Sequence, residues 1–262
     1  MNLTEKKMVD ALKDLRDSFA VAGVKAEFEA EGTRTEELMR LKEICLAAGV
    51  SLTLKIGGCE AVRDMCDARA VGVDHLVAPM VETPFALRKY LRAKDLAFPK
   101  DEQEQIEFLV NIETGLAASN FAAMLELPES SQLDGIVIGR SDLTGSLDID
   151  RREIDGERVF QLVRGVLVEA RRRKLTCVIG GTITAASLDF LGRLCREELL
   201  DRFETRKVCF ACREALAGNA AEGIRRSLGF ELLWLENKSD YYRAISREDE
   251  KRIAALRQRL DR

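Results

Sequence analysis

The sequence lacks the features that would place it in a membrane or on nucleic acid. None of its apolar runs approaches the length of a membrane span. Its first residues, MNLTEKKMVDALKDL, form a charged amphipathic helix without the apolar core of a signal peptide. It has no excess of positive charge, because 41 Lys and Arg face 45 Asp and Glu, for a net charge of −4. We therefore expect a cytoplasmic protein that binds neither membranes nor nucleic acid.

Patterns typical of disulfides, zinc sites and dinucleotide sites are also missing. The seven cysteines are odd in number and lie mostly in apolar segments, as buried reduced thiols do. Cys209 and Cys212 form a single C-x-x-C without a second pair or a histidine, so a zinc ion would lack ligands there. No G-x-G-x-x-G follows the first apolar segment, which argues against a dinucleotide-binding fold.

What the sequence does contain is a strand–helix pattern that recurs about every thirty residues without hairpin signals. This pattern predicts an α/β protein, a (β/α)8 TIM barrel, with an open doubly wound sheet as the alternative. We expect one barrel domain over residues 1–262, opened by a short N-terminal helix. The predicted strands lie at 24–31, 51–56, 74–79, 108–112, 136–138, 175–179, 203–210 and 231–235.

The first predicted strand, VKAEFEAE at residues 24–31, alternates strictly between charged and apolar side chains. Lys25, Glu27, Glu29 and Glu31 share one face, and in a barrel covered by helices that face points into the lumen. Buried charges are costly unless they are paired or bind a metal. The pattern predicts an ion-paired lumen, with Arg206 as one basic partner; the alternative is a strand at an edge.

Two carboxylates follow neighbouring apolar segments. Glu113 comes after the run at 108–112 and Asp142 after the run at 136–138, with a helical pattern at 116–127 between them. A right-handed parallel crossover brings both to the carboxyl edge of the sheet, where ligands bind. Two hard oxygen ligands suit Mg²⁺ or Mn²⁺. The alternative is that both residues only cap helices.

The segments that carry these carboxylates, NIETGLAASNFAAML and LDGIVIGRSDLTGSL, resemble the HpcH/HpaI-type pyruvate-dependent class II aldolases and the related citrate lyase β-subunits. The resemblance extends from Lys25 to Leu147 and includes HLVAPMVETPFALRKYLRA. It implies that Glu113 and Asp142 bind a divalent cation, Mg²⁺ or Mn²⁺, that holds pyruvate or its enolate. It also implies a homo-oligomer.

This chain departs from the family pattern at three positions. Lys55 stands where the family has an arginine, and a lysine is a point charge that cannot form the bidentate fork. Asn111 falls where the family often has a glutamine; the alternative is a polar core residue. Gly32, in the stretch EAEG, falls where the family has its histidine, and the only histidine, His75, opens a strand at the opposite face.

The proton mover must therefore be another group. Candidates are Glu29, Glu31, a metal-bound water, or a lysine such as Lys55 or Lys207 with a pKa lowered by burial. Laid along the chain, the resemblance also places VKAEFEAE on the family's second strand. ELLWL at 231–235 would then replace the first strand and pair with it, giving a barrel with a permuted strand order.

Together these observations predict a metal-dependent carbon–carbon lyase, aldolase-like, acting on a 2-oxo acid of the pyruvate or phosphoenolpyruvate class. The expected catalytic residues are Glu29, Glu31 and Lys55, and the metal ligands are Glu113 and Asp142. The expected substrate-binding residues are Lys55, Asn111, Ser141, Asp142 and Arg206, with backbone amides of Ser141 and Asp142 facing the substrate carboxylate.

Two rival functions remain open from the sequence. An acyl-CoA lyase of the citrate lyase β type would need a basic patch for phosphates, and Arg34, Arg140 and Arg151–Arg152 are the local clusters. A barrel that has lost catalysis together with the histidine would serve as a binding or assembly subunit.

Overall fold

The computed structural model describes residues 1–261, and its eight strands close into one barrel in the order β1 to β8. Strands alternate with helices around the barrel, except between β7 and β8, which confirms the predicted α/β barrel. The strands are β1 Val21–Glu27, β2 Ser51–Lys55, β3 His75–Ala78, β4 Glu107–Ile112, β5 Gly135–Gly139, β6 Thr176–Gly180, β7 Arg202–Glu204 and β8 Val208–Ala211.

Helices cover the outside of the barrel. Within residues 1–261, none is both long and apolar enough to cross a bilayer. The α-helices are α1 Leu3–Phe19, α2 Thr35–Ala48, α3 Val62–Val71, α4 Pro84–Ala97, α5 Lys100–Gln103, α6 Gly115–Leu125, α7 Arg140–Ser146, α8 Glu157–Arg172, α9 Leu188–Arg196, α10 Cys212–Ala217 and α11 Ala220–Leu260. Short 3₁₀ helices lie at Pro128–Gln132, Arg151–Glu153 and Ala185–Ser187.

The closing strand β8 runs against its neighbours. Strands β1 to β7 pair in parallel, whereas β8 is antiparallel to both β7 and β1. A tight turn at 205–207 reverses the chain, with Thr205 N donating to Val208 O at 2.9 Å. The segment 203–210, predicted as a single strand, is therefore two antiparallel strands.

The prediction of an eighth strand at 231–235, paired with β1, is wrong. These residues lie inside α11, and β1 pairs with β2 and β8 instead. The apolar run ELLWL is helical because its burial has a helical period: Trp234 is buried, one turn after Phe230, while Leu232 and Leu235 are exposed. The strand Val208–Ala211 closes the barrel by pairing with β1. The predicted permuted order, in which residues 231–235 close it, is therefore wrong.

The lumen is polar in its upper half, and its charges are paired as predicted. Lys25 Nζ lies 2.6 Å from Glu204 Oε1 and 3.1 Å from Glu27 Oε1, with all three side chains buried. Below the mouth, an apolar layer consists of Val77, Leu109, Val137 and Val178.

Strand β1 begins three residues before the predicted strand at 24–31 and ends four residues earlier than predicted, at Glu27. Its last residues pass into a loop at 28–34, which is tied down where Phe28 N donates to Lys55 O at 2.8 Å and Thr33 N donates to Glu27 O at 3.2 Å. Glu29 and Glu31 therefore lie on a loop over the barrel mouth. Only the first half of the alternating stretch, residues 24–27, belongs to a strand.

His75 opens β3 at the amino-terminal end of the barrel, opposite the strand ends that carry the carboxylates, as predicted. Its Nδ1 lies 3.0 Å from Glu107 Oε2, and Arg202 Nη2 lies 2.5 Å from the same oxygen. Its role there is to hold strands β3, β4 and β7 together through a shared carboxylate.

Helix α11 is 41 residues long. Its first half packs on the barrel through Ile224, Phe230 and Trp234, while its second half is exposed, including the apolar side chains of Ile253 and Leu256.

Candidate active site

A cavity of about 530 Å³ opens at the carboxyl ends of the strands. Parallel strands deliver their last residues to this end of a barrel, which is where barrel enzymes bind substrate. Seven of the eight predicted site residues line it: Glu29, Lys55, Asn111, Glu113, Ser141, Asp142 and Arg206. Glu31 is absent from the lining.

The lining of the cavity is acidic. It contains six carboxylates, Glu27, Glu29, Glu113, Asp142, Glu204 and Glu231, and four basic side chains, Lys25, Lys55, Arg151 and Arg206. Its formal charge is therefore −2. A divalent cation would neutralise the lining, and such a cavity favours cation entry.

Glu113 lies at the centre of the site and is almost completely buried, with 1% of its surface exposed. It follows β4, and Thr114 behind it caps α6 by accepting from Ala117 N at 3.0 Å. The Glu113 Oε2 atom accepts from Asn111 Nδ2 at 2.5 Å and from Lys55 Nζ at 3.2 Å. These contacts leave the carboxylate little freedom to rotate.

A backbone amide completes the support of Glu113. Met80 N donates to Glu113 Oε1 at 3.0 Å. Met80 has a φ of 51°, a left-handed conformation that costs free energy for a residue with a side chain. Strain of this kind clusters at ligand sites, which supports a functional role for this carboxylate.

Gly139, the last residue of β5, leaves the space that Glu113 occupies. A Cβ added there would stand 2.8 Å from both Cβ and Oε2 of Glu113. Because backbone and carboxylate approach so closely, no larger residue fits without moving the carboxylate. Helix α7 begins directly afterwards and carries Ser141 and Asp142 to the cavity wall.

Several oxygens of this wall are of the type that divalent cations prefer as ligands. Asp142 is exposed in the cavity and makes no ion pair among the described residues. Asn111 Oδ1 is buried and accepts no hydrogen bond, although Asn111 also lines the cavity. Residues 1–261 contain no cluster of three or more His, Cys, Asp and Glu for a metal. Two carboxylates, with water and substrate oxygens, are a common set for Mg²⁺.

Lys55 lies between two carboxylates. Its Nζ is 3.0 Å from Glu29 Oε2 and 3.2 Å from Glu113 Oε2. Burial lowers the pKa of Lys55, but the carboxylates of Glu113 and Glu29 outweigh it and leave this pKa above its ordinary value. In this arrangement Lys55 is an ammonium group, which donates hydrogen bonds to both carboxylates and balances their charge.

The remaining charged candidates, Glu31, Arg206 and Lys207, form an ion-pair network at the mouth of the barrel. Glu31 is ion-paired with Lys207, and Arg206 Nε lies 3.3 Å from Glu31 Oε1. Arg206 also lies 3.6 Å from Glu27 Oε2, so it is a partner of the β1 glutamates, while its exposed side lines the cavity. Burial lowers the pKa of Lys207 and the Glu31 carboxylate opposes this, leaving the pKa below its ordinary value.

Two of the arginines considered for a phosphate-binding patch, Arg140 and Arg34, do not line the cavity. Arg140 is fully buried, where its Nη1 donates to Asp155 Oδ1 at 2.5 Å and its Nη2 to Gly181 O at 3.1 Å. Arg34 stacks on the Tyr242 ring, 4.3 Å from its centroid, outside the cavity lining. The basic patch that a CoA pocket would need is therefore reduced.

Sequence reasoning missed Thr182 and underrated Arg151. Ser141 Oγ and Thr182 Oγ1 lie 2.9 Å apart, and Arg151 Nη2 donates to Thr182 Oγ1 at 3.2 Å. All three residues line the cavity. The available signal is the pair Gly180–Gly181 at this strand end, because glycine lets the backbone approach a ligand closely.

Three solved structures illustrate the fold. An HpcH/HpaI aldolase from Desulfitobacterium hafniense DCB-2 aligns with a TM-score of 0.58 and 15% identity, over 74% of this chain and 88% of its own. A family protein from Burkholderia cenocepacia J2315 gives 0.56 and 16%, over 75% and 91%. Citrate synthase SbnG gives 0.60 and 15%, over 87% and 98%. At these identities the likeness shows the fold alone.

A search of curated proteins gives no match. The sequence itself matches a family model over residues 40–186, more than half of the chain, including both predicted metal ligands and Lys55. The resemblance seen in the sequence is thus confirmed: this chain belongs to the HpcH/HpaI aldolase/citrate lyase family.

Proposed function

We propose that this protein is a lyase that uses Mg²⁺ or Mn²⁺ to make or break a carbon–carbon bond beside a 2-oxo acid of the pyruvate or phosphoenolpyruvate class. One observation carries the proposal. Glu113, Asp142 and the unpaired Oδ1 of Asn111 belong to one cavity whose lining has a formal charge of −2. Family membership supports a lyase reaction.

Glu113 and Asp142 would hold the cation, with Asn111 Oδ1 as a further oxygen. The cation would polarise the 2-oxo group and stabilise negative charge as it develops on that oxygen. Lys55 already directs its ammonium group at Glu113, so it can balance charge that the carboxylate and the substrate share. These residues bind and orient the oxo acid.

The start of α7 supplies donors for the substrate carboxylate. The first N–H groups of a helix have no partner within the helix. Gly139, the residue before α7, has no side chain to cap them. The amides of Ser141 and Asp142 are therefore the groups that we assign to the carboxylate of the 2-oxo acid.

Glu29 is the proton mover in this proposal. It lines the cavity, its side chain is 33% exposed, and its only ion-pair partner among the described residues is Lys55 at 3.0 Å. Glu31 is not carried into the proposal, because its carboxylate is held by Lys207 and Arg206 and does not reach the cavity lining. Cytoplasmic location and a homo-oligomer stay predictions.

The test is a titration of Mn²⁺, alone and with oxalate, into the wild-type protein, Asp142→Asn and Glu113→Gln. Losing one of few charged ligands should weaken Mn²⁺ binding by at least about a hundredfold in each variant. Asp142→Asn should keep the wild-type melting temperature, since Asp142 is exposed and unpaired among residues 1–261. Glu113→Gln should be less stable, because its amide would face buried donors.

Glu153→Gln is the control, since Glu153 is an exposed acid close in sequence but outside the cavity lining. It should bind Mn²⁺ as the wild type does. A wild-type protein that takes up no metal with oxalate would be a binding or assembly barrel. Undiminished affinity in Asp142→Asn would place the cation elsewhere. Metal-dependent release of pyruvate from a 4-hydroxy-2-oxo acid then tests the lyase reaction itself.

A further inference from the structure

The cavity has one basic side chain without a carboxylate partner. Lys25, Lys55 and Arg206 are each ion-paired. Arg151 makes no ion pair among residues 1–261, and its one side-chain hydrogen bond there goes to Thr182 Oγ1, at 3.2 Å. A guanidinium has five N–H donors. Most of those of Arg151 are therefore free to bind an anion.

A hydroxyl proton is available beside this arginine. Ser141 Oγ and Thr182 Oγ1 are 2.9 Å apart and share one hydrogen bond. Two hydroxyl groups have two protons, and their mutual bond uses one of them. Neither hydroxyl has a further acceptor among the described residues, so one O–H remains to donate into the cavity.

The backbone that carries these groups is held in place. Gly181 has a φ of 83°, and a Cβ there would stand 2.5 Å from Ser141 N. Thr182 has a φ of 53°, a strained conformation for a β-branched residue. The buried Arg140 fixes this loop by donating to Gly181 O at 3.1 Å. The strained loop is thus supported from beneath, as preorganised binding sites are.

We propose that Arg151, Thr182 and Ser141 form a second anion site in the cavity, for a carboxylate on the carbonyl compound that is joined to or released from the 2-oxo acid. The inference rests on the proposed function. Ser141 directly precedes Asp142, so the site adjoins the proposed cation. One guanidinium and one hydroxyl suit a singly charged carboxylate, which arginine binds in a bidentate manner. The second substrate is thus an acidic carbonyl compound.

The experiment compares glyoxylate with glycolaldehyde, a neutral aldehyde of similar size. Each is titrated into the protein loaded with Mn²⁺ and oxalate, and binding is followed by ligand NMR. We expect glyoxylate to bind at least about tenfold more tightly than glycolaldehyde, because a charged hydrogen-bonded pair is worth that much. Arg151→Gln should remove this preference, while leaving the affinities for Mn²⁺, oxalate and glycolaldehyde unchanged.

Arg152→Gln is the matched control, since the Arg152 guanidinium lies 2.6 Å from Asp150 and outside the cavity lining. It should behave as the wild type. Equal binding of the two aldehydes, no binding of glyoxylate, or an Arg151→Gln variant that matches Arg152→Gln would each overturn the inference. Failure of Mn²⁺ and oxalate to bind the wild type would instead sink the proposed function, so the two failures are distinguishable.

Discussion

Replacing Lys25 by methionine removes the central charge of the lumen and keeps a side chain of similar length. Burial lowers the pKa of Lys25, but the carboxylates of Glu204 and Glu27 outweigh burial and raise this pKa above its ordinary value. Glu27 keeps Arg206 at 3.6 Å after the change. Glu204 keeps only the Cys209 thiol, at 3.6 Å, which is a weak donor.

The variant therefore leaves one buried carboxylate without a countercharge. Removing one partner of a buried pair costs about 3–5 kcal/mol. We expect about 3 kcal/mol here, near the lower end of that range, because Glu204 lines the cavity and water can reach it. In a chain of this size the melting temperature should fall by about 6–12 °C.

The loss should also depend on pH. In the wild type the pKa of Glu27 is lowered: burial raises it, but Lys25 and Arg206 outweigh burial. Its contribution is present above the ordinary pKa of 4.5 and is lost as pH falls below it. The difference between the two proteins should thus shrink from pH 7 to pH 4.

Urea unfolding followed by circular dichroism at pH 7 and pH 4 measures both effects. Lys25→Met with Glu204→Gln should recover part of the loss, because the uncompensated charge is gone. Lys100→Met is the control: its ion pair with Asp95 is on the surface, and its loss should cost less than about 1 kcal/mol. A Lys25→Met loss that is no larger than that of the control, or that is the same at both pH values, would refute this reasoning.

Two further predictions concern other parts of the chain. The pKa of Glu107 is lowered to about 2, because hydrogen bonds and charges from His75 and Arg202 outweigh its burial. Its contribution to stability is present above pH 4.5 and is lost between pH 4.5 and 2. In Glu107→Gln, the free energy of unfolding should therefore depend less on pH in that range. An unchanged pH dependence would contradict this. For a homo-oligomer, light scattering should give a mass that is a multiple of the 29.3 kDa chain mass. The double variant Ile253→Glu, Leu256→Glu should have a lower mass, because it places charges on the exposed apolar side chains of α11. A monomeric wild type would exclude the homo-oligomer.

Local sequence predicted the strands that precede Glu113 and Asp142 because each strand is a short apolar run followed by a turn. The rule of right-handed crossovers then placed both residues at one edge of the sheet. The eighth strand failed for a related reason. The run at 231–235 is as apolar as a strand, and only tertiary contacts show that Trp234 faces the barrel while Leu232 and Leu235 face outward.

The parts of the site that sequence could not supply depend on contacts distant along the chain. Met80 acts through its backbone N–H, so its residue type gives no signal. Arg140 and Arg151 are alike in the sequence, yet Asp155 draws the first into the core and leaves the second in the cavity. Orientation of a long side chain is set by its partner, which periodicity does not reveal.

The reversed strand β8 fixes the loop that follows β1. A parallel connection would require a crossover of a dozen or more residues, whereas here a three-residue turn brings Arg206 and Lys207 directly beside that loop. Both bind Glu31 and thereby fix the loop. Glu29, two residues earlier and on the cavity side, is then held over Lys55. The carboxylate that this loop presents to the cavity is therefore that of Glu29.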